Sequence, residues 1–212
     1  MKTIRYFLIF GVLICLVGLA GCNPAADVPP ESSDTTTVTE YTLSEEEQAV
    51  IDEINFARTQ PKKYVTERLS PSVLDVSKKS ESYLAALDEV VDKMSRMTTP
   101  LPELTKANGL NKCAAEWVKI SGPVGYVGHE SSIAKRFKKY CSCAAPGENC
   151  SYGYPTAKEI VIALLVDDGV EDRGHRNNIL SSAYKNVGVA IGPHKKYGTM
   201  CCIDFAYGYQ EK

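Results

Sequence analysis

The sequence predicts an α+β fold in which layers of helix pack on a mainly antiparallel sheet. Three observations carry this. Apolar residues recur at helical spacing behind capping signals over the earlier part of the chain, period-two alternation appears towards the C-terminus, and a polar turn divides the last alternating runs.

The elements follow in order. Ser44 with Glu47 three residues on forms a capping box, and Val50, Ile51, Ile54 and Ala57 follow at helical spacing. Pro61 stops that helix. A second pattern carries Tyr83, Leu84, Leu87, Val90, Val91 and Met94, and a third carries Leu110, Cys113, Ala114 and Trp117 and ends near Gly122. Between them, Thr98 to Asn108 is rich in turn formers. Ser131 to Tyr140 reads as a helical stretch whose lysines and Arg136 imply a wet face. Thr156 with Glu159 is another capping box, and the stripe of Ile160, Ala163 and Leu164 continues one turn on to Asp167, placing an acid at the end of a buried face. Val187, Val189 and Ile191 then alternate with small residues, and Pro193 to Lys196 turns the chain into a closing hairpin that ends at Tyr209.

Composition and the N-terminus bound the function. The 212 residues, 44% of them hydrophobic, suffice for one full core. A formal charge of −2 offers no basic footprint for nucleic acid. Lys2 and Arg5 precede an apolar run from Tyr6 to Leu19, shorter than the roughly 20 residues a membrane-crossing helix needs, so residues 1–21 read as a signal peptide. The run closes on Leu19-Ala20-Gly21-Cys22, which is similar to a bacterial lipobox, so Cys22 is expected to carry lipid and to hold the protein to the membrane. Residues 22–43 are rich in Pro, Ser, Thr and acid and read as a disordered tether, leaving 44–212 as one domain.

Beyond Cys15 in the leader and Cys22, six cysteines remain in an exported chain: Cys113, Cys141, Cys143, Cys150, Cys201 and Cys202. They allow up to three disulfides, with unpaired thiols as the alternative, and neighbours Cys201 and Cys202 on a strand face opposite ways and do not pair with each other. Cys141, Cys143 and Cys150 lack the spacing of a zinc knuckle.

Of three histidines, His194 beside two lysines reads as a solvated loop residue. His129 precedes Glu130, but one turn on stands Ile133, so the H-E-x-x-H zinc motif is absent. His175 lies in Glu171 to Leu180, a stretch crowded with polar and charged side chains that leads into the hairpin, and Glu148 in a loop between glycine-bearing turns. Two imidazoles and an acid suit zinc or a similar divalent ion. The alternative is that His129 and His175 hydrogen-bond to acids and backbone and orient loops without an ion. Arg176 reads as a surface or acid-paired residue, and Gly147 and Gly174 as turn residues.

Gly174-His175-Arg176 with Asn178-Ile179-Leu180, followed by Tyr184 and Val187-Gly188-Val189, resembles the G-H-R-x-N-I-L signature of the CAP superfamily, the cysteine-rich secretory protein, antigen 5 and pathogenesis-related 1 group, whose domain is also called SCP. Gly147-Glu148-Asn149 is similar to its G-E-N motif, Asn55 to Arg58 with Pro61 to its first helix, and Leu104 through Trp117 to its next one. The resemblance implies an α-β-α sandwich with a cleft lined by a His, Glu, Glu, His tetrad that in some members binds a divalent metal. His129, Glu148 and His175 match three positions. The family's W-x-x-E pattern is replaced by Leu164 to Asp168, so the fourth falls to Asp167, Asp168 or Glu171.

Two functions follow. The first is an envelope-anchored, periplasmic or surface-displayed binding module holding a metal ion such as zinc, a lipid or sterol, or a protein partner. The second is a metal-dependent hydrolase of peptides or esters with Glu148 as general base. No G-x-S-x-G elbow is present, and the binding module is the favoured reading.

Overall fold

A computed structural model describes residues 40–212. The leader, the lipobox with Cys22 and the tether as far as residue 39 lie outside the described residues. The domain makes contacts slightly ahead of Ser44: the Tyr41 backbone N–H donates to Asn108 Oδ1 at 2.6 Å, and its hydroxyl donates to Glu47 Oε1.

Ser44 caps α1 (Glu45–Thr59) with the reciprocal Glu47 bond that the sequence predicts, and Val50, Ile51, Ile54 and Ala57 are all buried. After a short α2 (Pro61–Tyr64) come α3 (Glu81–Ser95), β1 (Thr105–Lys106), α4 (Asn108–Ser121), α5 (Ile133–Tyr140), β2 (Cys141–Ser142), β3 (Ala145–Tyr152), α6 (Ala157–Val166) and α7 (Gly174–Ile179). The terminal hairpin is β4 (Asn186–His194) with β5 (Gly198–Tyr207), and β6 (Gln210–Glu211) follows. The main sheet runs β1-β4-β5-β3, antiparallel except for the β1/β4 pair, and β2 pairs with β6.

Alternation along β5 sorts the two faces. Cys201, Ile203 and Phe205 join the core under α1, α3 and α6, while Met200, Cys202 and Ala206 face α4 and α5. Helices thus cover both sides of the sheet, an α-β-α sandwich. The opposite facing of Cys201 and Cys202 agrees with the sequence reading. Of the two alternatives the sequence leaves, the structure has unpaired thiols: all six cysteines of the described residues are free. Cys150 stands opposite Cys202 in the β3/β5 register, and Cys141 and Cys143 lie with α4 and α5, apart from Cys150.

Four expectations are corrected. Glu148 sits inside β3, because pairing of all eight β3 residues with β5 overrides the turn propensity of its Pro and Gly neighbours. Gly147 belongs to that strand, where an added Cβ would stand 2.4 Å from the Tyr184 hydroxyl. Gly174, read as a turn residue, is the first residue of helix α7. Arg136, expected on a wet face, is 1% exposed, because its side chain reaches buried acids instead of water.

The approach of α4 to β4 is set by an absence of side chain. A Cβ on Gly188 would lie 2.2 Å from the Leu110 carbonyl carbon, and Asn111 of the same turn accepts the Val189 N–H at 3.0 Å. Gly188→Ala must push backbone apart and is expected to cost about 1–3 kcal/mol. Chemical denaturation checks this, and an unchanged midpoint would mean that α4 is not held there.

Candidate functional site

β3 is an edge strand, and two histidines approach that edge from different elements. His129 lies in the stretch between α4 and α5, where Gly128 takes φ +125° and both the glycine N–H and carbonyl bond to the Tyr152 hydroxyl. Its Nδ1 lies 2.7 Å from Glu148 Oε1. His175 occupies the first turn of α7, with Nδ1 2.7 Å from Asp167 Oδ1. The two ring centroids are 6.3 Å apart. Each imidazole therefore hands one nitrogen to a buried carboxylate, and Nε2 of each makes no hydrogen bond among the described residues. A carboxylate on Nδ1 fixes tautomer and ring angle and leaves Nε2 as donor for an ion.

The carboxylates are themselves held. Asp167 closes α6 in a left-handed conformation at φ 57°, and its Oδ2 accepts the backbone N–H groups of His175 and Arg176. Both its oxygens are thus engaged, and Asp167 orients His175. Asp168 and Glu171, the other two candidates for that position, are exposed, and Asp168 only borders the cleft.

Glu148 Oε2 is ion-paired to Arg136 Nη2, and both side chains are 1% exposed. Burial alone would raise the Glu148 carboxyl, but His129 and Arg136 outweigh it and hold it below the usual carboxylate range. Arg136 also lies 3.5 Å from Asp204, and its guanidinium sits over the Trp117 ring at 5.3 Å. Burial, with Glu148 beside it, pushes the Asp204 carboxyl well up. The cluster therefore pairs one carboxylate with one guanidinium.

The two motifs dock through their asparagines. Asn178 donates to Asn149 Oδ1 at 2.8 Å, and Asn149 donates to the His175 carbonyl at 3.0 Å. Arg176 is buried; it donates to the carbonyls of Leu165, Val166 and Ala86 and to Glu89, so the acid-paired option holds and the surface option does not. Arg173, left-handed at φ 52°, clamps the same Glu89 with Nε and Nη2.

A cavity of about 300 Å³ opens beside His175, lined by Cys150, Ser151, Tyr154, Asp167 and Tyr197 among others. His129 and Glu148 line a second depression of about 380 Å³. Ser151 Oγ is buried without a hydrogen-bond partner, a polar atom that a ligand in the cavity would satisfy. Cys150 Sγ lies 4.0 Å from His129 Nδ1. Cys202 and then His129 lower the Cys150 thiol to about 6, against the effect of burial, and Cys150 and then Glu148 raise His129 to about 10.

His129, Glu148, Asp167 and His175 thus come together as two carboxylate–imidazole pairs. The two imidazoles, His129 once it gives up the proton that Cys150 and Glu148 hold on it, present a donor set that fits a divalent ion of the zinc class. His194 corrects the sequence reading. It is 2% exposed, with Nε2 3.0 Å from the Tyr126 carbonyl and Nδ1 accepting the Lys196 and Tyr197 N–H groups, because it ties the hairpin turn to the stretch that bears His129. Arg136 is the functional residue that sequence reasoning missed. Its signal is present, since Ile133, Arg136, Phe137 and Tyr140 fall on one helical stripe.

The model of the family described as "CAP: Cysteine-rich secretory protein family" matches residues 94–205, just over half of the chain. No curated protein matches the sequence. Among solved structures, an outer surface protein from Borrelia burgdorferi is 15% identical with a TM-score of 0.45, covering 64% of this chain and 96% of that one. Venom allergen-like protein 4 of Schistosoma mansoni is 14% identical with a TM-score of 0.48, covering 80% and 97%. The CAP domain of Enterococcal PrgA is 19% identical with a TM-score of 0.40, covering 86% and 84%.

The Glu89 clamp under α7 generates a pH prediction. Arg173 and Arg176 hold the Glu89 carboxyl down to about 2, below its ordinary 4.5, so its contribution to stability is present above pH 4.5 and is lost as pH falls through about 2. Glu89→Gln is expected to lower the melting temperature at neutral pH, and the gap to the parent protein is expected to close between pH 4.5 and 2. A gap that stays constant over that range would remove the clamp from the stability of α7.

Proposed function

The chain belongs to the cysteine-rich secretory protein (CAP) family, and from that premise we propose that it is a binding module whose cleft holds a divalent ion between His129 and His175. The observation that carries the reading is the pair of facing imidazoles, each tied through Nδ1 to a buried carboxylate, with 6.3 Å between ring centroids. Glu148 and Asp167 fix the rings, and Arg136 and the Asn149–Asn178 bond fix the elements that carry them. A bound ion would supply open coordination positions to a carboxylate, phosphate or carbonyl group of a ligand entering the cavity. The tyrosines at the cavity mouth, Tyr154 and Tyr197, are both 43% exposed and offer apolar faces to the rest of such a ligand, whether lipid, sterol or protein.

The geometry favours binding over hydrolysis. A general base needs a free carboxylate oxygen, and both Glu148 oxygens are committed, one to His129 and one to Arg136. No helix of the described residues is long and apolar enough to cross a membrane. The leader and the lipobox support export and attachment through lipidated Cys22, which would display the cleft at the bacterial envelope.

Calorimetric titration of the reduced protein with Zn²⁺ tests the ion. Binding is expected in the parent and its loss in a His129→Ala/His175→Ala double variant, while Asp167→Asn, which leaves both rings in place, is expected to weaken it about 10–100-fold. Equal affinity in the parent and the double variant would sink the reading.

A further inference from the structure

We propose that Cys150 and Cys202 form a redox-active dithiol, a modification site in the wall of the cleft that disulfide oxidants convert to a covalent bridge between β3 and β5. The two residues stand directly opposite in the β3/β5 register and share one cluster under α4 with Trp117 and Met200. Their thiols interact as hydrogen-bond partners. Opposite residues of an antiparallel pair hold their Cα atoms roughly 4.5–5.5 Å apart, inside the span of about 4.4–6.8 Å that a disulfide bridges. Register excludes the other choices. Cys201 stands opposite Ser151 and Ile191, and its side chain enters the core on the other face of the sheet. Cys143 precedes β3, and the strand from Ala145 to Cys150, at about 3.3 Å per residue, carries Cys150 beyond the reach of a disulfide from it. Cys113 and Cys141 are each other's neighbours in a separate cluster.

Access sets the order of events. Cys150 lines the cavity beside His175, whereas Cys202 is fully buried. The Cys150 sulfur, its proton passed to water, attacks one sulfur of a low-molecular-weight disulfide, forms a mixed disulfide and releases one thiolate. Cys202 then gives up its proton, attacks the Cys150 sulfur and expels the second thiolate. Two protein thiols and one small disulfide thus become one protein disulfide and two small thiols, and the oxidant takes up the two electrons. The bridge withdraws the Cys202 thiol from Glu148 Oε2, 3.4 Å away, and leaves that oxygen to Arg136. It also ties the edge strand, which bears Glu148, covalently to the middle of the sheet. None of these steps depends on an ion in the cleft.

Oxidised glutathione is the probe. The reduced, folded full chain is oxidised with it, remaining thiols are blocked with N-ethylmaleimide, and trypsin with a glutamate-specific protease separates Cys150 from Cys141 and Cys143 by cutting after Glu148. Mass spectrometry is expected to find the Cys150 fragment joined to the fragment that carries Cys201 and Cys202. The join is expected to persist in Cys201→Ser and to vanish in Cys202→Ser, where Cys150 stops at the glutathione adduct. A parent protein whose Cys150 fragment carries only maleimide or glutathione overturns the proposal, as does one joined to Cys113, Cys141 or Cys143. In Cys201→Ser the join to that fragment can reach only Cys202, so its loss there assigns the bridge to Cys201 and overturns the proposal whether or not Cys202→Ser folds.

Discussion

The buried ion pair between Arg136 and Glu148 is the constraint on which the cleft depends. Two charges that are each 1% exposed are costly to bury, and removal of either would strand the other. The pair joins α5 to β3 across the sheet face and turns the second Glu148 oxygen towards His129. Asp204, pushed towards its neutral form beside them, keeps the local charge balanced. An ordered imidazole at the open edge of the sheet thus traces back to a guanidinium held against Trp117.

The other imidazole is positioned by a different device. Arg176 fastens α7 from below by donating to three backbone carbonyls, and Asp167 receives two backbone N–H groups and the ring. Arg58, fully buried on α1, donates to the carbonyls of Ile179 and Ser181 at the end of α7 and just past it. The site is therefore assembled from a helix on each side of the sheet and one edge strand, and α7 meets that strand through the Asn149–Asn178 pair. This explains why residues so widely spaced in sequence act as a unit.

The helices are readable because their signals are local. Ser44 and Glu47 cap α1 as their spacing requires, and Thr156 Oγ1 accepts the Glu159 N–H at the start of α6, although there the Glu159 carboxylate accepts from the Thr156 hydroxyl and not from its backbone N–H. Glu148 reads as a loop residue in sequence because its strand character comes from β5, more than fifty positions away. His194 misleads for a similar reason: two lysines beside it suggest water, while the ring turns inward to a carbonyl on another segment. The motif residues His129, Glu148 and His175 are readable as a set, but their roles as ring and tether are not. Hydrogen-bond direction is a property of the folded arrangement, and Arg136 shows the same limit, since a charged residue on an apolar stripe declares its burial only once its partner is known.

Asp167 and Arg173, the two left-handed residues that bracket the connection from α6 to α7, carry a steric penalty of about 1 kcal/mol each that glycine would avoid. Asp167 accepts that penalty at the one point where the backbone turn and the aim of an imidazole are decided by the same side chain. Glycine would relax the turn yet strand the His175 and Arg176 N–H groups and free the ring, so endurance and grip hang on the same strained residue.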